Sequence, residues 1–151
     1  MDATDVQMIR ALIDAPRASN VALAERLGLS RNTVQARMSS LEASVLASVE
    51  RRIEPVSLGY PLTAFIAVHV RQKSLSDIVS AIAAIPEVIQ AHGLSGQVDV
   101  LVQVAARDAD HLFRIDAGIL AIEGVERTET SLAMGELIPF RMRPLLEQGA
   151  P

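Results

Sequence analysis

Asn32, Gln35, Ala36 and Ser39 recur at intervals of three and four, so a helix would place all of them on one face. Such a set suits recognition better than covalent chemistry. Each carboxamide donates and accepts at once and so matches the paired groups on a base edge, while Ala36 and Ser39 allow close approach. Arg31 and Arg37 border this face, where a guanidinium can hold a phosphate or form a local ion pair. Ser30 and Thr33 add hydroxyls at the start of the same helix. The candidate DNA-contacting residues are therefore Ser30, Arg31, Asn32, Thr33, Gln35, Ala36, Arg37 and Ser39. Arg51 and Arg52 follow as further phosphate contacts or as a solvated edge.

A helix that presents such a face must be anchored by the opposite one. Val34, Met38, Leu41 and Val45 supply an apolar stripe at i, i+4, i+7 and i+11. The helix is expected from about Arg31 to Ala47. Before it, Gly28 can take the left-handed conformation that ends a helix, and Ser30 can cap the next one. Two more helices are expected, over 2–15 (Val6, Ile9 and Ile13 inward, Met8 and Leu12 beside them) and 19–27, with Pro16 closing the first. This is the order of a helix-turn-helix whose second helix enters a major groove. The competing reading is an ordinary amphipathic helix with a solvated face.

Half of the 151 residues are hydrophobic, enough for a core, yet aromatics are only 3%, so burial must rest on Leu, Ile, Val and Ala. The net charge of −4 is unusual for a nucleic-acid binder, but its distribution matters more. Residues 16–52 hold six Arg against three Glu, whereas residues 56–151 hold seven basic and eleven acidic residues. The positive charge gathers around the helix-turn-helix, as a weak patch that needs several subunits for tight binding at physiological salt. No apolar run reaches the length of a membrane span, the acidic start lacks a leader pattern, and there is no cysteine. A cytosolic protein is expected.

The stretch from Pro55 to Pro61 reads as a linker, and Val49–Pro55 as an extended connector. Beyond it the pattern changes. Strands are expected over 62–71, 87–94, 98–106 and 124–134, and helices over 75–85 and 109–121. Ala84-Ile85-Pro86-Glu87-Val88 and Ala121-Ile122-Glu123-Gly124-Val125 occupy matching helix-to-strand turns, an internal repeat. The order βαββαβ predicts a ferredoxin-like sheet with both helices on one face. Phe65, Ala67, Leu101, Ala105 and Leu132 would line the other face, which is too apolar for water, so a second copy is expected to cover it. The expected class is α+β: a winged-type helix-turn-helix domain (1–54), a linker (55–61), a βαββαβ domain (62–138) and a C-terminal tail (139–151).

Enzyme signatures are missing from the sequence. His69, His92 and His111 are too scattered for a local catalytic or metal set, and no phosphate-cradling glycine loop, nucleophile elbow or HExxH helix occurs. No cofactor or metal is expected.

Taken in order, these pieces resemble the Lrp/AsnC family of transcription regulators. The resemblance runs from about Met1 to about Leu137. It is carried by Asp2 and Asp5, by Arg17 with Ser19-Asn20, by Leu23-Ala24-Glu25, Gly28-Leu29-Ser30, Val34, Arg37 and Leu41-Glu42, and by Glu54-Pro55 with Leu58-Gly59. Pro86-Glu87-Val88, Ser95-Gly96, Asp99, Gly124-Val125, Thr128 and Thr130 continue it. It implies a homo-oligomeric regulator of double-stranded DNA, dimeric and often octameric, with an amino acid or related metabolite bound between subunits. The effector residues it implies are Ser95, Gly96, Gln97 and Asp99 in the loop after the second strand, and Thr128 and Thr130 in the last strand. Two departures stand out. Gln97 replaces a carboxylate of the family's Gly-Asp-x-Asp, which removes a charge-assisted partner for an ammonium group. Val45 stands where the family has a glycine after the recognition helix, so that helix is expected to run on. Two alternatives remain: a sirohaem-decarboxylase-like enzyme of related fold, and an amino-acid-sensing module that does not bind DNA.

Overall fold

The computed structural model describes residues 1–71 and 75–148. They divide into two compact units, Met1–Arg52 together with the segment from Ile138 on, and Ile53–Leu137.

The first unit begins with three helices, α1 (Ala3–Asp14), α2 (Asn20–Leu27) and α3 (Arg31–Ser44). Each start is satisfied locally. Asp2 and Asp5 form a reciprocal capping box on α1, Ser19 accepts from the Ala22 N–H, and Ser30 accepts from the Thr33 N–H. Gly28 ends α2 at φ +64°, the left-handed value anticipated from the sequence, and directs the chain into α3. Met8, Leu23 and Val34, one from each helix, are fully buried at the centre, with Ile9, Ala11, Ala24 and Leu41 around them.

Two expectations for this unit fail. α3 stops at Ser44 although no glycine follows; the Val45 and Leu46 N–H groups both turn back to the Leu41 carbonyl. This shifts the apolar phase by one residue, leaving Val45 47% exposed while Leu46 packs on the core in its place. The wing is also missing: among the described residues no strand occurs before Leu62. The expected extended connector is instead a 3-10 turn at Val49–Arg52.

The second unit opens with another 3-10 turn, Pro55–Leu58, ended by Gly59 at φ +85°. It continues as β1 (Leu62–Val70), α4 (Leu75–Ala83), β2 (Val88–Gly93), β3 (Val100–Ala106), α5 (Ala109–Leu120) and β4 (Val125–Leu132). The strands form one antiparallel sheet in the order β2-β3-β1-β4. Alternation along β1 and β3 sends Ala64, Ile66, Val68, Val100, Val102 and Val104 to one face, where Ile78 and Ile82 of α4 and Ile115 and Ile119 of α5 meet them. Fully burying an isoleucine contributes roughly 1.5–3 kcal/mol. The repeated turns match in detail: Val88 N–H bonds the Ile85 carbonyl and Val125 N–H bonds the Ile122 carbonyl, and all four side chains pack on this core.

The opposite face carries Phe65, Ala67, Leu101 and Ala105 as expected, but Leu132 does not join them. Register places Leu132 beside Ala64, on the helix side. Ser131, Glu129 and Arg127 stand in its row instead, and Arg127 pairs with Glu129 at 2.9 Å and with His69 Nε2 at 3.1 Å. The apolar part of this face is therefore centred on β1 and β3, with charge along β4.

After Leu132 the chain returns to the first unit as α6 (Arg143–Glu147). Leu146 joins the core of α1–α3, its carbonyl accepts from Arg10 Nη2 at 2.7 Å, and Arg143 pairs with Asp14. The segment expected as a tail is thus part of the helical unit.

Candidate functional site

α3 carries the residues best placed to meet a duplex. Val34 is completely buried and Leu41 nearly so, which turns Arg31, Asn32, Gln35, Ala36 and Ser39 outward, all of them exposed. The polar face read from the 3.6-residue period is therefore the solvent face. Local hydrogen bonds then define what each member offers. Ser30 Oγ accepts from the Thr33 N–H at 3.1 Å and lies 2.8 Å from the Thr33 hydroxyl, so both belong first to the helix start. The Ser39 hydroxyl donates to the Gln35 carbonyl at 3.2 Å, leaving its oxygen to accept. Gln35 Oε1 accepts from Asn20 Nδ2 across the α2–α3 angle at 2.5 Å.

Of the two roles expected for Arg37, phosphate contact or local ion pair, the structure shows the ion pair. Its Nη1 donates to both oxygens of Asp2 at 2.8 and 2.9 Å and to Asp5 Oδ1 at 2.7 Å. The two carboxylates that cap α1 thus clamp α3 to it. Their pKa values are both lowered from 3.8, chiefly by the reciprocal backbone N–H donors of the capping box and then by the Arg37 guanidinium. Arg37 is raised by the same partners. Its charge is matched inside the unit, where it ties α3 to the start of α1. Arg31, Arg51 and Arg52 are exposed, and Arg51 lies 5.9 Å from the centre of the Phe140 ring.

Sequence reasoning missed Asn20, Asp2 and Asp5 as parts of this assembly. Their roles depend on which helix crosses which, information that a one-helix period does not contain.

In the second unit, Ser95, Gly96 and Gln97 form an exposed loop between β2 and β3, with Gly96 at φ +133°. Asp99 closes it. Its Oδ2 accepts from the Val70 N–H at 2.9 Å, its N–H donates to the Val68 carbonyl, and its carbonyl accepts from Leu94. The β1–β3 ladder ends at the Val68–Val100 pair, so the Val70 amide lies beyond it and takes the carboxylate instead. Thr128 and Thr130 lie on β4 beside Val68 and Ile66, on the far side of β1 from β3. Two strand spacings, roughly 10 Å, separate them from the loop's strand. Thr130 also donates to Asp116 Oδ1 of α5 at 2.7 Å. The loop and the threonines are therefore not brought into one cluster within a single chain.

His69, His92 and His111 stay apart. His111 is buried: its Nδ1 accepts from the Arg107 N–H at 3.2 Å, which leaves Nε2 to donate to Glu87 at 3.1 Å, beside a cavity of about 210 Å³ floored by Ile85 and Ile115. Among the described residues no helix is long and apolar enough to cross a membrane.

Known proteins agree with both units. Residues 1–42 match the AsnC-type helix-turn-helix domain, and residues 63–142 match the Lrp/AsnC ligand binding domain. The HTH-type transcriptional regulator AldR of Mycolicibacterium smegmatis is 33% identical over 142 residues, covering 91% of this chain and 83% of AldR. A transcriptional regulator of Neisseria meningitidis, solved as a complex with L-Met, is 28% identical with a TM-score of 0.76, covering 91% of this chain and 92% of that one. Escherichia coli AsnC shares the fold at a TM-score of 0.85, with 23% identity over 95% of this chain and 99% of its own. With both domain models matched in order over most of its length, the chain belongs to the Lrp/AsnC family of helix-turn-helix transcriptional regulators.

Proposed function

We propose that this regulator recognises a roughly two-fold-symmetric duplex site through the exposed face of α3. Asn32, Gln35, Ala36 and Ser39 meet base edges, Arg31, Arg51 and Arg52 hold phosphates, and Ser30 and Thr33 present the helix start to the backbone. Arg37 is a positioning residue rather than a phosphate contact. The observation that carries the reading is the joint exposure of the four recognition residues directly opposite a fully buried Val34. The DNA-reading domain comprises residues 1–54 with the returning α6 segment, and the sheet domain follows from 62. The protein acts by binding, in the cytoplasm, as a homodimer joined through the β1–β3 face and assembled further into octamers.

Supporting an effector role for the sheet domain are its match to the ligand binding model and the L-Met complex of the Neisseria relative. We assign an amino-acid-like effector to the Ser95–Asp99 loop, completed by a neighbouring subunit whose edge strand β4 brings Thr128 and Thr130. The neutral Gln97 offers an amide where a carboxylate would pair with an ammonium group, so the ligand's charged end is held more by backbone groups and Asp99.

Duplex-binding titrations with single substitutions test the DNA reading. Asn32→Ala removes a bidentate pair of hydrogen bonds to a base and is expected to cost about 1–3 kcal/mol on the cognate site, with little change on unrelated DNA. Arg31→Ala is expected to weaken all sequences alike and to flatten the dependence of binding on salt. Equal losses on cognate and random duplexes for Asn32→Ala would contradict base reading by this face.

A further inference from the structure

The side-chain amide of Gln35 is already held before any DNA arrives. We infer that Asn20 is a specificity-determining positioning residue, which orients Gln35 to select adenine and reject guanine at one base pair of each half-site. This rests on the reading that the exposed face of α3 enters the major groove.

Asn20 is the first residue of α2, yet it is not needed as its cap, because the Ser19 hydroxyl takes that role. Its carboxamide is therefore available to α3, and Nδ2 donates to Gln35 Oε1 at 2.5 Å. Asn20 is half-buried whereas Gln35 is exposed, so the held amide still faces solvent. The Gln35 backbone is tied as well, through the Ser39 hydroxyl on its carbonyl. A glutamine normally loses much rotamer freedom when it contacts a base; here part of that ordering precedes binding.

An amide oxygen accepts two hydrogen bonds, and Asn20 occupies one. The remaining lone pair and a neighbouring Nε2–H make an edge that reads acceptor, donor. Adenine shows the complement in the major groove, an N6–H donor beside the N7 acceptor. Guanine shows two acceptors, O6 and N7, so the fixed Oε1 would face O6 without a proton between them. A free glutamine relieves this by rotating until Nε2 alone faces the guanine. The hydrogen bond from Asn20 opposes that rotation, and so the pair rejects guanine more strongly than Gln35 alone would.

The test uses the full chain, first with a randomised duplex library and then with the selected site and its A·T→G·C variants, all at one salt concentration. The wild type is expected to select adenine at matched positions in the two half-sites and to bind the guanine variant about tenfold more weakly or worse. Asn20→Ala should reduce this ratio several-fold, mainly by gaining affinity for the guanine site, with binding to unrelated duplex unchanged. Asn20→Asp retains the shape but has no N–H to donate, and should also lose the preference. Thermal unfolding of each variant identifies any that fails to fold, and the two substitutions cover for each other.

If both Asn20 variants keep the wild-type ratio while Gln35→Ala loses it, Asn20 positions nothing and the inference is overturned, although Gln35 still reads a base. If Gln35→Ala keeps the ratio too, base reading by Gln35 fails with it. Selection of a base other than adenine at the position sensitive to Gln35 also overturns the inference.

Discussion

Arg37 shows how little a side chain's type says about its partner. A guanidinium on a recognition helix looks like a phosphate ligand, but Asp2 and Asp5 meet it first. Both carboxylates have lowered pKa values, so their contribution to stability is present above their ordinary value of 3.8 and is lost as pH falls through the lowered values. Urea unfolding should therefore find Asp5→Asn less stable than the wild type at neutral pH, with the gap narrowing in acid below the carboxylate range. A gap that persists undiminished there would show that the clamp does not carry the difference. The outward set Asn32, Gln35, Ala36 and Ser39 can be read from spacing because exposure follows the 3.6-residue period of one helix. The engagements of Asn20, Asp2 and Asp99 cannot, since each is made with a segment distant in sequence.

Turns govern the elements. Gly28 sits at φ +64° with nothing within 4 Å of the place where a Cβ would be, so a substitution there meets backbone strain and no steric neighbour. Gly28→Ala should cost about 1–2 kcal/mol in denaturant unfolding, and Gly28→Asn less, because asparagine tolerates the left-handed region. Equal costs for the two would point to a cause other than the dihedral. The two helix-to-strand turns are apparent in the sequence because Ile85 with Val88, and Ile122 with Val125, repeat both the spacing and the burial. The end of α3 is not apparent there. A missing glycine suggests continuation, but the Val45 and Leu46 N–H groups both return to the Leu41 carbonyl and Leu46 packs on the core, so the helix ends without any special residue.

At the scale of the whole molecule, the proposed dimer rests on the apolar face of the sheet around β1 and β3. Phe65 is 37% exposed amid Ala67 and Leu101, and a carboxylate there would have to be desolvated against a partner's apolar surface. Phe65→Asp is expected to shift the protein toward monomer in sedimentation equilibrium and to abolish any amino-acid-induced rise in melting temperature, since the proposed effector site needs a second subunit. A dimer that survives this change would place the interface elsewhere. Alternation in β1 and β3 makes most of this face readable from the sequence. The side taken by Leu132 is not readable, because strand register across β1 and β4 is not encoded in either strand alone.

The return of α6 to the helices of the first unit also has a consequence for biosynthesis. α1–α3 leave the ribosome about a hundred residues ahead of the segment that supplies Leu146 and Arg143. At usual elongation rates that is a delay of roughly 5–20 s, long enough for the intervening sheet to fold. The helices of the DNA-binding domain thus emerge well before the segment that completes their core, and a nascent chain stalled within the sheet should hold them less stably than one that includes Leu146.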